Sequence, residues 1–158
     1  MTTMTQTGFV VLALPPAVLD AVRGGGGDAS GDPAERVVAS GGEPLRCCLR
    51  DARPGEDLLL FGYAPPIPAG PYVERGAVFA HAASCERPTA TGAYPVAWRG
   101  RPQVLRAYDA RGWIRDAEVH GGGRPESAIA RLLADPAVVQ VHSRNVAYGC
   151  FMFRVVRA

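Results

Sequence analysis

Reactive side chains gather most densely near the C-terminus. The stretch 138–156, VVQVHSRNVAYGCFMFRVV, reads as strand, polar turn, strand, and it carries His142, Arg144 and Cys150 within nine positions. An imidazole beside a thiol can lower the thiol's pKa and supply thiolate. An imidazole alone can move protons near neutral pH, and a guanidinium can hold a carboxylate, phosphate or enolate in a two-pronged grip. Strand parity sharpens this. Val139 and Val141 share one face, as do Phe151, Phe153 and Val155 on the partner strand, so burying both sets together calls for Val141 near Phe151. His142 then stands beside Cys150 on the opposite face, among Gln140, Met152 and Arg154.

A second chemistry is metal binding. His81-x3-Cys85 together with His142 and Cys150 would form a Cys2His2 zinc set. The adjacent Cys47 and Cys48 point to opposite faces if they lie in a strand, so they add one ligand at most. There is no Cys-x-x-Cys pair. The plain alternative for Cys47, Cys48 and Cys150 is that each is a small buried hydrophobe. Glu56 and Asp57 lie in a turn beside Arg53 and read as surface charge.

These groups need a scaffold, and the hydrophobic pattern describes one. Apolar or alternating runs at 9–14, 36–39, 45–49, 58–63, 77–82, 103–108 and 113–119 read as strands, before the C-terminal hairpin. In the run 77–82, Phe79 and His81 share a face. A short helix is expected at 17–23 behind Pro15-Pro16, and a firmer one at 125–134, where Pro125 and Glu126 suit the first turn and Ile129, Leu132 and Leu133 share a face. Residues 24–33 open with four glycines and form a surface loop; they lack the strand-to-helix setting of a phosphate-binding loop. The fold class is therefore α+β, a mostly antiparallel β-sheet with one or two short helices in a single domain spanning 1–158, with 1–8 frayed.

Composition excludes several classes. All 17 basic residues are arginine and lysine is absent, so there is no Schiff-base lysine, phosphate-loop lysine or pyridoxal anchor. The net charge of +2, from basic residues scattered singly, argues against nucleic acid or membrane partners. The N-terminus has no basic segment followed by a long apolar run, so a cytoplasmic protein with reduced cysteines is expected. The abundance of Ala, Gly, Pro and Arg reads as the mark of a GC-rich bacterial genome.

The runs RVVA (36–39), PLRCCLRDARPGEDLLLFGY (44–63), PY (71–72), VFAHAASCER (78–87), LLADPAVVQVHSR (132–144) and GC (149–150) carry a resemblance. Together they are similar to a bacterial family designated domain of unknown function 1203, in order over nearly the whole chain. Members commonly read Pro-Cys-Arg near the first long run. Here Leu45 stands in place of that cysteine, while Arg46 matches, so any role of that cysteine is missing. The resemblance implies no reaction, cofactor or partner. It marks Arg46, Cys48, Glu56, Tyr63, Tyr72, His81, Cys85, His142, Gly149 and Cys150.

The reading that follows is a protein handling a small polar or anionic molecule, leaning to a cofactor-independent enzyme of isomerase, cyclase or hydrolase type. Its catalytic candidates are His142, His81 and Cys150. Arg46 and Arg144 would hold the anion, Tyr63 and Tyr72 would orient it, and Cys85 would lie alongside. No cofactor is expected, and the expected partner is a small-molecule ligand or substrate. The alternatives are a non-catalytic binding or interaction module, and a zinc domain built on His81, Cys85, His142 and Cys150.

Overall fold

The computed structural model describes residues 8–86, 88 and 92–158. The expected frayed segment lies mostly outside these residues. Ten strands form two five-stranded, mostly antiparallel sheets with two short helices, where the pattern of the chain suggested one sheet. The first sheet joins β1 (Phe9–Leu12), β10 (Phe151–Arg157), β9 (Val138–Asn145), β7 (Gln103–Asp109) and β8 (Ile114–His120), in that order. The second joins β2 (Glu35–Val38), β5 (Asp57–Tyr63), β6 (Gly76–His81), β3 (Pro44–Leu45) and β4 (Arg50–Asp51), with β3 and β6 parallel.

Alternation decides which side of each strand is inside. In β7, β9 and β10 the residues Leu105, Ala107, Val141, Phe153 and Val155 are fully buried, and they pack with Trp98, Tyr94 and the inner face of α2 (Pro125–Leu133). Pro125 fits the first turn because its missing N–H would have no partner there, and Glu126 meets the positive end of the helix. The helix α1 (Pro16–Arg23) buries Leu19 and Val22 against the second sheet, beside Leu45, Leu58, Phe61 and Val78. A fully buried side chain of this size stabilises the fold by roughly 1.5–3 kcal/mol relative to its exposed state. Among the described residues no helix is long and apolar enough to cross a membrane.

Two departures from the sequence pattern matter for chemistry. First, the run 45–49 is not a strand. Only Pro44–Leu45 is extended, and the chain turns at once to pair back as Arg50–Asp51. The Leu49 N–H donates to the Leu45 carbonyl at 2.9 Å, and Leu49 takes φ 58°, the left-handed conformation that closes such a turn. The alternation of Leu45, Cys47 and Leu49 mimics a strand, although four residues of the run belong to the turn. Second, the final hairpin keeps the expected parity but slides along. Val141 faces Val155, His142 faces Arg154, and a bulge falls between Phe151 and Phe153. Cys150 stays in the turn before β10, so the His142–Cys150 neighbour pair is not formed. The bulge also turns Phe151 away from the first core and into the second, where its ring lies 5.3 Å from that of Tyr63.

Candidate functional site

The turn at 46–49 meets the end of β6. Because the backbone is curled there, Cys47 and Cys48 project toward the same point, and their sulfurs lie 3.9 Å apart. His81 Nδ1 sits 3.5 Å from Cys47 Sγ and 3.7 Å from Cys48 Sγ. Cys85, one short loop beyond β6, completes the group, and all four ligand atoms lie within 4.8 Å of one another. A zinc ion has bonds of about 2.3 Å to sulfur and about 2.0–2.1 Å to nitrogen, so the edges of its tetrahedron are about 3.8 Å for S···S and about 3.5–3.6 Å for S···N. The three separations among Cys47, Cys48 and His81 match these edges. The sulfurs and the nitrogen are placed as ligands are, without a disulfide.

The surroundings are compatible with a bound metal. His81 Nε2 lies 2.5 Å from Glu56 Oε2, which leaves Nδ1 free to present its lone pair inward. Glu56 is gripped by both terminal nitrogens of Arg50 at 3.0 Å, and it accepts the Arg53 N–H at 2.6 Å. The Arg50 grip, that N–H and His81 hold the Glu56 carboxyl well below the usual carboxylate range. Cys47 Sγ accepts the backbone N–H of His81 at 3.3 Å, and Arg23 approaches Cys85 Sγ at 3.9 Å while bonding the His81 carbonyl. Three thiolates around a dication would sum to one negative charge, which these donors would offset. The hydrogen bond between the two thiols pulls Cys48 down and pushes Cys47 up, so Cys48 is the first of the pair to ionise.

Glu56 is thus more than surface charge. Glu56→Gln keeps the shape but removes the negative charge and leaves one oxygen where the carboxylate offers two to Arg50, the Arg53 N–H and the imidazole. Zinc affinity is expected to fall by about 10–100-fold, read by competition with a chromogenic chelator. Unchanged affinity would show that the ring is oriented by packing alone.

The remaining candidates divide between a cleft and the interior. A cleft of about 860 Å3 is lined by Arg46, Tyr63, Arg144 and Cys150 together with residues of the β5–β6 connection. Arg46 donates to the Phe151 carbonyl at 2.6 Å, to the Pro44 carbonyl at 2.5 Å and to Cys150 Sγ at 3.0 Å. Arg144 pairs with Glu74 and bonds the Gly149 carbonyl at 3.0 Å. Tyr72 lies apart, half exposed, with its ring edge-on to Trp113. His142 is buried between Tyr108 and Phe151, lines neither the cleft nor the metal group, and bonds Gln140 Oε1 at 2.9 Å. Burial, then Arg154, Arg144 and Arg106, push its imidazole down to about 3.

The zinc set read from spacing is therefore half corrected. His81 and Cys85 stay, while Cys47 and Cys48 take the places assigned to His142 and Cys150. His81-x3-Cys85 was the legible half of the signal. The other half was hidden because residues alternating in sequence were taken to alternate in space.

Comparison with known proteins adds a family and no activity. A family model described as "Protein of unknown function (DUF1203)" matches residues 42–157, a span that holds the four ligands and Glu56 as well as the cleft residues named above. No curated protein and no solved structure matches the chain.

Proposed function

The chain belongs to the family of proteins of unknown function DUF1203, and from its geometry we propose that it is a zinc-binding domain with a closed Cys3His centre. The observation that carries this is the convergence of Cys47, Cys48, His81 and Cys85 at tetrahedral spacing, backed by a carboxylate on the far nitrogen of the imidazole. Three soft thiolates and an imidazole favour zinc over the hard cations, which take oxygen ligands. Four protein ligands fill a tetrahedron and leave no position for substrate, so the metal stabilises the fold. It fastens the turn at 46–49 to β6 and the loop after it, and so it holds Arg46 at the cleft. An acid/base enzyme using His142 is not what the geometry favours, since that imidazole is neutral, buried and away from the cleft. A zinc-stabilised module that binds a small ligand is the reading supported best.

Metal analysis of protein made without an affinity tag tests it. The expected result is about one zinc per chain, with cobalt-exchanged protein showing sulfur-to-metal charge transfer and the intense visible bands of a tetrahedral ion. Substoichiometric zinc in protein prepared under reducing, zinc-replete conditions would exclude the centre.

A further inference from the structure

We propose that the cleft between the two sheets is a second site, which binds the oxyanion of a small metabolite, a carboxylate or a phosphate, through Arg46, Arg144 and Tyr63, with the Cys150 thiol beside the bound group. Three observations carry this independently of the metal.

Arg46 is only 1% exposed, yet among the described residues its guanidinium hydrogen-bonds two carbonyls and a thiol and no carboxylate. A buried cation with neutral partners creates a field that a ligand anion can answer. Tyr63 is 6% exposed, lines the cleft, and its hydroxyl has no hydrogen-bond partner among the described residues. A hydroxyl with no partner in the protein is available to a ligand acceptor. Arg144 is 8% exposed on the same wall, and its one carboxylate, Glu74, is shared with Arg106. Arg46, Arg144 and Tyr63 therefore line one space whose volume is that of a metabolite site. Gly149, at φ 72°, closes the turn that sets Cys150 against Arg46.

Cys150 supplies a built-in reporter. Its sulfur displaces iodide from either iodoacetate or iodoacetamide, losing the thiol proton to solvent and forming a thioether. On an ordinary thiolate the anionic reagent gains nothing over the neutral one. In the zinc-loaded folded protein, with Cys150 followed by peptide mass mapping, the iodoacetate-to-iodoacetamide rate ratio is expected to exceed that of the same cysteine in the urea-unfolded chain by about tenfold. Inorganic phosphate and malonate would slow the reaction, and whichever protects at lower concentration identifies the oxyanion. Tyr63→Phe removes one hydroxyl and nothing else, and it should weaken that protection by about tenfold; Arg144→Gln should bring the rate ratio toward the unfolded value. A ratio equal in folded and unfolded chains, with no protection by either anion, would overturn the proposal. If Cys150 reacts with neither reagent, titration calorimetry with malonate and phosphate decides it, and no heat from either overturns it equally. The zinc content is measured separately on the same preparation, so failure here in zinc-loaded protein leaves the metal centre standing.

Discussion

Replacing Cys48 with serine will leave the protein without stoichiometric zinc and lower its thermal midpoint by about 6–20 °C. A serine hydroxyl is a hard, protonated donor, while the centre needs a thiolate 3.9 Å from Cys47 and 3.7 Å from the imidazole. Small zinc peptides gain roughly 10–16 kcal/mol from their metal because nothing else folds them. Here two apolar cores exist without it, so the loss is smaller, about 3–5 kcal/mol. A domain of this length shifts by about 2–4 °C per kcal/mol, which yields the stated fall. The same midpoint should be reached by the unaltered protein after exhaustive chelation, and Cys48→Ser should gain nothing further from added zinc. Calorimetric scans with metal analysis check both. A Cys48→Ser protein that keeps its zinc and its midpoint would remove Cys48 from the centre.

Acid will destabilise the protein by charging His142. The imidazole has an ordinary value of 6.5 and is held down to about 3 in the fold, first by burial and then by Arg154, Arg144 and Arg106. The unfolded chain therefore binds the proton more readily than the folded one. The resulting stability is fully present above about pH 6.5 and is lost progressively as pH falls toward 3. The loss amounts to about 2 kcal/mol at pH 5 and about 3 kcal/mol at pH 4. His142→Gln removes the titration and leaves a neutral side chain near Gln140. Its stability should fall less steeply than that of the parent between pH 7 and 4, by about that amount, in urea melts of both proteins. Comparing the two cancels the acid lability of the thiolates, since the centre is intact in each. Parallel curves would mean that His142 is charged in both states or in neither.

The burial of His142 shows why the most concentrated reactive stretch is not the metal centre. Along 138–156 the parity of the apolar residues was legible, and Val141 does face an apolar residue of β10. The register was not legible. It depends on a bulge at Met152 and on a turn that keeps Cys150 out of the strand, and neither leaves a mark in the alternation. His142 therefore meets Arg154, and Cys150 meets Arg46, a residue 104 positions away. Arg46, Tyr63, Arg144 and Cys150 were singled out by residue type and family resemblance, and the structure lines one cavity with all four.

What the chain determines by itself is whatever rests on local rules. Strand alternation, prolines at helix starts and the apolar stripe of α2 specify an α+β protein with mostly antiparallel pairing. The absence of lysine excludes whole chemistries, and His81-x3-Cys85 offers two ligands across one loop. Only the tertiary structure decides which thiols join them. Cys47 and Cys48 reach His81 across 34 and 33 positions, and they face the same way because Leu49 adopts a left-handed backbone that ends a strand before it has begun. Ligand geometry depends on the direction of each Cα–Cβ bond, and one such turn reverses the directions that a periodic pattern assigns.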